Sequence, residues 1–308
     1  MNKQIMKATR KQQQPLVSVI MPVHNTGNFL VQAIESIRSQ THTNFELLCI
    51  DDGSRDISPM ILESYARLDK RIKVYTNSRN RGIGYSLNRG LRHAQGEYIA
   101  RMDADDISLP TRFAEQIALL KKNPSLVACG GQAAMIDPNG RVFAYKHFPT
   151  DPTMLYKMIM RMVPLQHPIL MARSSVFKNY RYNESVSTAE DVDMLFYLLS
   201  KGSIGNTKTV IYQYRKTDLS NGYHNVKKTF MITFASRFSA ILKYGYKPNF
   251  SGLFATFMQF MIVQLFPAKL VVRVFEMLRY DPPLWKRGIR IISTLGGLLT
   301  KVKVLPSI

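Results

Sequence analysis

Between residues 16 and 139 the chain repeats one phrase: a short apolar run, a few polar residues, then a segment with helical spacing. Leu16-Val-Ser-Val-Ile-Met21 leads to Phe29, Leu30, Ala33, Ile34 and Ile37, which recur along one helix face. Phe45-Glu-Leu-Leu-Cys-Ile50 precedes a helix predicted over 57–68, with Asp56 or Ser58 able to cap it and Pro59 tolerated in its first turn. Ile72-Lys-Val-Tyr75 precedes a helix over 83–94. Glu97-Tyr-Ile-Ala-Arg-Met102 precedes one over 111–122, and Leu126-Val-Ala-Cys129 follows. Strands joined through helices by short loops make right-handed crossovers, so the expected fold class is α/β, a mostly parallel sheet flanked by helices. Such sheets bind ligands beyond the carboxyl ends of their strands. Three strand ends are polar enough to matter: Pro22-Val-His-Asn25, Asp51-Asp-Gly-Ser54 and Asp103-Ala-Asp-Asp106.

Beyond residue 139 the alternation loosens. The pattern predicts a helix over 151–162, a turn at Gln166-His-Pro168, a strand over 169–172, a helix over 190–201 and a strand over 209–214. After Thr217 the texture changes to long apolar, aromatic-rich segments punctuated by bases. The chain carries 42 Lys and Arg against 21 acids, a net charge of +21, which predicts an anionic partner. Residues 201–308 hold 17 of those bases and three acids, so the excess belongs mostly to the C-terminal third. The two cysteines, Cys49 and Cys129, sit in apolar runs and exclude a disulfide scaffold or a cysteine-rich zinc site. The polar, basic stretch 1–14 has no apolar signal region and is expected to be a mobile tail.

Taken singly, the candidate motifs each have a plain structural alternative. Asp103 and Asp105 are spaced to aim two carboxylates at one hard divalent cation, Mg²⁺ or Mn²⁺, or simply to form an acidic turn ahead of a helix. Asp51 and Asp52 suit a nucleotide base or ribose, yet Asp-Asp-Gly-Ser is also a good turn. Asn80-Arg-Gly-Ile-Gly84 opens a helix, where backbone N–H groups and Arg81 favour phosphate. Glu190-Asp191 starts an apolar helix; Asp191 is either a general base or, through Thr188-x-x-Asp191, half of a capping box. His167 either meets a ligand or is a structural hydrogen-bonding residue. No Gly-x-Gly-x-x-Gly follows the first strand and no P-loop occurs, which removes the main support for hydride transfer and P-loop chemistry.

Order and spacing are more specific than any one motif. Val17-Ser-Val-Ile-Met-Pro-Val-His-Asn25, Ser39-Gln-Thr41, the Asp51-Asp52 strand, Asn80-Arg-Gly-Ile-Gly84, Gly96-Glu-Tyr-Ile-Ala-Arg-Met-Asp-Ala-Asp-Asp106, Pro110-x-Arg112 with Gln116, His167-Pro168 and Glu190-Asp191 follow one another. This series strongly resembles the family 2 inverting glycosyltransferases with the GT-A fold, over roughly residues 15–215. The resemblance implies a nucleotide-sugar half over 15–139 and an acceptor half over 140–217. It implies that Asp52 reads the base, with Pro22, His24, Asn25 and Asp51 around it and Arg81 near the phosphates. Asp103, with Ala104, would face the ribose or sugar, and Asp105 would hold Mn²⁺ or Mg²⁺ on the diphosphate. Asp191 would be the catalytic base, with Glu190 and His167 on the acceptor side. The implied partners are a UDP-sugar or other nucleotide-sugar donor and a lipid-linked or glycan acceptor in cell-surface glycan synthesis. The chain departs from the family at His24, where a Tyr is usual, and after Tyr214-Arg215, where Lys216-Thr217 replaces a frequent His. The Gln-x-x-Arg-Trp motif of processive synthases is absent, so one sugar per encounter is expected.

The C-terminal region, 218–308, is expected to be helical and membrane-associating. Residues 248–268 carry no charge and reach the length of a bilayer core, though Asn249, Gln259, Gln264 and Pro267 dilute them, so a shallow interfacial helix is expected over a full span. Mixed bases and aromatics over 270–292 fit an anionic membrane surface at the cytoplasmic face. The rival readings are a basic nucleic-acid-binding protein, which lacks zinc-finger or RNP1-like motifs here, and another nucleotide-using transferase of the same fold.

Overall fold

A computed structural model describes residues 14–186, 188–217, 226–268, 270 and 271. Its first half follows the repeated phrase closely: β1 (Val17–Val23), α1 (Gly27–Arg38), β2 (Phe45–Asp51), α2 (Ser58–Leu68), β3 (Ile72–Thr76), α3 (Ile83–His93) and β4 (Tyr98–Arg101). These strands pair in parallel in the order β3-β2-β1-β4, the arrangement that right-handed crossovers produce. A two-residue strand β5 (Ile107–Ser108), then α4 (Arg112–Lys122), leads to the long β6 (Leu126–Ile136).

From there the sheet becomes mixed. β7 (Val142–Lys146) returns antiparallel on β6, and α5 (Pro152–Met158) precedes a 3-10 turn at His167–Ile169. β8 (Met171–Arg173) inserts antiparallel between β4 and β6. Short α6 (Ser174–Phe177) and α7 (Glu190–Lys201) follow, and β9 (Ser203–Arg215) lies parallel to β6 and carries β5 on its far edge. Among the described residues nine strands form one sheet, so the two halves share a continuous floor.

Alternation along the strands divides the core by face. In β1, Val17, Val19 and Met21 pack with Leu30, Ile34, Leu47 and Phe113 on one side. Ile20 packs with Leu48, Leu87, Leu91 and Leu195 on the other. Helix α3 can lie this close because Gly90 faces Ile20; a Cβ there would sit 2.4 Å from the Ile20 side chain. Cys49 and Cys129 are both buried, and burial pushes the Cys49 thiol up to about 12, as expected of inert core cysteines.

Two further helices follow: α8 (Val226–Tyr244) packs beside α7, and α9 (Phe250–Leu265) packs on α8. Asp193 of α7 accepts from the Tyr244 hydroxyl at 2.9 Å, and Arg237 of α8 donates to Gln259 of α9 at 2.8 Å. The uncharged stretch over 248–268 yields a helix of 16 residues, capped by the Asn249 side chain. Among the described residues no helix is long and apolar enough to cross a membrane. Most of the expected 1–14 tail and the amphipathic region over 272–292 lie outside the described residues.

Candidate active site

The ends of β1 and β2 and the loop before α3 are stitched into one wall. Asp52, buried, receives three hydrogen bonds: Oδ1 from Asn77 Nδ2 at 2.7 Å and from the Arg81 N–H at 2.9 Å, and Oδ2 from the Gly82 N–H at 2.8 Å. Its neighbour Asp51 is spent on its own turn, accepting from the Ser54 N–H at 3.0 Å. Gly53 has φ +69°, and a Cβ there would sit 2.7 Å from the Arg79 backbone, so only glycine lets these loops touch. His24 lies against the Asp52 carbonyl through Nδ1 at 3.0 Å, and Asn25 takes a left-handed φ of 53° while its Oδ1 accepts from the Arg55 N–H at 2.8 Å. Pro22 is half-buried behind them, and the exposed Arg81 guanidinium stacks 4.2 Å over the Tyr85 ring. The wall therefore brings Pro22, His24, Asn25, Asp51, Asp52 and Arg81 together. The Asp52 side chain already fixes the loop before α3.

The end of β4 is built differently. One carboxylate oxygen from each of Asp103, Asp105 and Asp106 lies within 4.8 Å of the others. Burial and the nearby Asp103 push the Asp105 carboxyl up to about 6. Asp106 is raised further, by burial and then by both neighbours. Its Oδ1 accepts from the Arg215 N–H at 2.7 Å, while its sealed Oδ2 makes no hydrogen bond, with the Tyr212 hydroxyl at its side. Ala104, buried between them, leaves room for the turn. Crowded carboxylates with an orphaned oxygen fit a divalent cation, which relieves both repulsion and desolvation. Asp105 with Asp106 behind it is the donor set such a cation would meet.

The start of α7 is linked to this turn through Arg101, which meets Asp103 and whose charge acts on Glu190. Ala189, with φ 56°, precedes the helix without any side-chain cap. The capping box expected from Thr188 and Asp191 therefore does not form. Thr188 turns instead to Thr229 of α8 at 2.9 Å, a tertiary contact that outweighs the local cap. Glu190, Asp191 and Asp193 share the first turn, where the helix dipole favours negative charge. Glu190 is almost buried, yet its contact with His167 Nδ1 at 3.3 Å and the nearby Arg101 hold it ionised at about 2, against the upward push of burial. His167 Nε2 in turn meets the Tyr182 hydroxyl at 2.8 Å. Tyr182 feels the charges of Arg101, Glu190 and Asp191 together, which ties the start of α7 to the end of β4.

Two members of the motif series have roles in this geometry that their local pattern does not announce. Arg215 at the end of β9 donates to the Asp105 carbonyl at 2.7 Å, to Asp137 and Pro138 carbonyls and to Gln32, so it pins the acidic turn from 110 residues away. Arg112 and Gln116 of the Pro110-x-Arg112 motif do not reach the crevice. Arg112 donates to the Arg101 carbonyl at 2.7 Å, and Gln116 to the Ile169 carbonyl at 2.7 Å, bracing β4 and the His167 turn from below.

The family profile described as glycosyl transferase family 2 matches residues 18–183. EpsE of Bacillus subtilis (strain 168) is 35% identical over 207 residues, covering 66% of this chain and 73% of that one. This chain belongs to glycosyltransferase family 2. An uncharacterized glycosyltransferase of Haemophilus influenzae is 32% identical over 211 residues, covering 65% of each chain. The family member spans only 36% of a longer Rickettsia felis relative, with which it is 31% identical over 74% of its own length. Among solved structures, S. aureus TarS 1–349 in complex with UDP-GlcNAc superposes with a TM-score of 0.62 at 21% identity, covering 75% of this chain and 68% of that one. Mannosyltransferase PcManGT from Pyrobaculum calidifontis, in complex with GDP-Man and Mn²⁺, gives 0.56 at 16% identity, covering 87% and 81%. These two likenesses establish the shared GT-A fold.

Proposed function

We propose that this protein is an inverting, metal-dependent glycosyltransferase that moves one sugar from a nucleotide-sugar to a hydroxyl of a lipid-linked or glycan acceptor in cell-surface glycan synthesis. The observation that carries it is the nearness of two acidic groups, the crowded Asp103–Asp105–Asp106 turn and the first turn of α7, which share one buried arginine: Arg101 meets Asp103 at 2.5 Å and its charge acts on Glu190. A UDP-sugar is the preferred donor, a choice supported by UDP-GlcNAc in TarS; Mn²⁺ in PcManGT supports the cation.

In this reading the wall around Asp52 receives the base and ribose, and Asp103 faces the sugar. Asp105, backed by Asp106, would hold the cation, which supplies neutralising charge for the diphosphate leaving group. Asp191 takes the proton of the acceptor hydroxyl as that oxygen attacks the anomeric carbon. The bond to the nucleoside diphosphate breaks as the new one forms, and the anomeric centre inverts. Glu190 and His167 orient the acceptor side, with Glu190 kept anionic by its partner.

Helix α9 supports a peripheral place on an anionic membrane. It buries Gly252, Thr256 and Val263, yet leaves Phe250 84%, Phe254 57% and Phe257 57% exposed on a basic part of the chain. An aromatic face that follows Lys247 in the chain fits shallow insertion at an anionic lipid surface on the cytoplasmic side.

A thermal-shift screen of UDP-, GDP- and dTDP-sugars with Mn²⁺ identifies the donor. With it, Asp105→Ala is expected to lose transfer about 1000-fold and to lose Mn²⁺-dependent nucleotide binding. Asp191→Asn is expected to lose transfer about 100- to 10,000-fold while binding the nucleotide as the wild type does. Full turnover by Asp191→Asn would place the base elsewhere.

A further inference from the structure

Arg101 pairs with the acidic turn from inside the fold, and the reading above gives it no role. It sits at the last position of β4, paired with Ile20 of β1. Its backbone is fixed on both sides: its N–H donates to the Leu170 carbonyl at 2.9 Å and its carbonyl accepts from Arg112 at 2.7 Å. The side chain is 4% exposed and runs beneath the crevice among Ile20, Leu87, Phe177 and Tyr182. One guanidinium nitrogen, Nη2, meets Asp103 Oδ1 at 2.5 Å. The other two, Nε and Nη1, are buried without a hydrogen-bond partner.

A buried arginine with two orphaned donors is costly to keep. Packing does not account for it, since an unbranched apolar side chain would fill the same space without that cost. Its one firm contact is with the carboxylate two positions before Asp105. Asp103, Asp105 and Asp106 all have an oxygen close enough to the others to share a cation. Three equal carboxylates would wrap a metal and leave none for the sugar. Arg101 breaks that equality, because of the three carboxylates it touches Asp103, at 2.5 Å, while Asp105 and Glu190 feel its charge from farther away.

We propose that Arg101 is a positioning residue that withholds Asp103 from the metal, turning it to the donor sugar and leaving Asp105 as the metal ligand. This rests on the glycosyltransferase reading of the same site. Tyr182 and His167 extend the support: Arg101 borders the same small void as Tyr182, whose hydroxyl meets His167, which in turn holds Glu190. The Arg101 guanidinium thus holds Asp103 from the side of the fold on which Tyr182, His167 and Glu190 lie.

The test is Mn²⁺ binding to the full chain, followed by electron paramagnetic resonance of free Mn²⁺, together with turnover of the donor found in the screen. Asp103→Asn is expected to change Mn²⁺ affinity by no more than about threefold, against about 100-fold or more for Asp105→Ala, because only the latter is a ligand. Arg101→Met frees Asp103 to join the cation and removes a nearby positive charge. It is expected to bind Mn²⁺ about tenfold more tightly while turning over about 100-fold more slowly, as a misplaced donor would. The double variant Arg101→Met/Asp103→Asn is expected to lose that tightening, and Arg101→Lys to restore Mn²⁺ affinity to the wild-type value. A merely structural arginine predicts weaker Mn²⁺ binding in Arg101→Met, and that result overturns the proposal. So does an Asp103→Asn variant that loses Mn²⁺ as completely as Asp105→Ala, a comparison that holds even if Arg101→Met does not fold. Unchanged Mn²⁺ binding by Asp105→Ala would instead sink the metal-dependent reading itself.

Discussion

At the end of β2, Asp52 accepts three hydrogen bonds from Asn77, Arg81 and Gly82; at the end of β4, Asp106 keeps an orphaned buried oxygen and Asp105 is pushed up to about 6. Both turns follow parallel strands, both are acidic and both open on the same edge of the sheet. One is satisfied by the protein and the other is not. The satisfied turn is scaffold: it fixes the loop before α3 and shapes a pocket. The unsatisfied turn stores repulsion that a ligand can relieve, which is where chemistry is expected.

The contrast can be broken by substituting one residue in each turn. Asp52→Ala orphans the Arg81 and Gly82 N–H groups and the Asn77 amide, so it is expected to destabilise the protein by about 3 kcal/mol in chemical denaturation. Asp105→Asn is expected to act in the opposite sense on the metal-free protein. Its folded pKa lies above the unfolded value of 3.8, so the ionised group costs stability once both states are ionised, above about pH 6, and costs nothing below about pH 4. The variant should gain about 3 kcal/mol at pH 7 and nothing at pH 4. Destabilisation by Asp105→Asn at pH 7 would mean that the two turns are built alike. A smaller effect concerns the outer face. Phe254→Asp/Phe257→Asp in α9 should weaken pelleting with anionic vesicles about tenfold without changing the melting temperature, since both rings are exposed. Unchanged pelleting would remove α9 from the membrane account.

The donor half was legible because each of its elements is announced locally. β1 to β4 are apolar runs, α1 to α4 have helical spacing, and the acidic turns directly follow strands. The roles inside the turns were not legible. Asp51 and Asp52 are indistinguishable by local pattern, and only the close approach at Gly53 decides that Asp52 reaches across to the next loop. Short β5 and, beyond residue 139, exposed β7 and four-residue α6 carry too few residues for a period to show. The local pattern at Thr188-x-x-Asp191 pointed to a capping box, and a contact with Thr229 of α8 replaced it. Arg215 and Arg101 stand in the motif series, but nothing local announced what they do. Arg215 acts over 110 residues, and Arg101 has the local pattern of any polar residue near a strand end.

A crystal structure of the full chain with UDP and Mn²⁺ tests the shared crevice most directly. The account predicts the ion on Asp105, the base against the Pro22–Asn25 and Asp51–Ser54 wall, and the diphosphate end pointing toward the first turn of α7. A nucleotide bound away from the β4 edge, or an ion coordinated without Asp105, would contradict it.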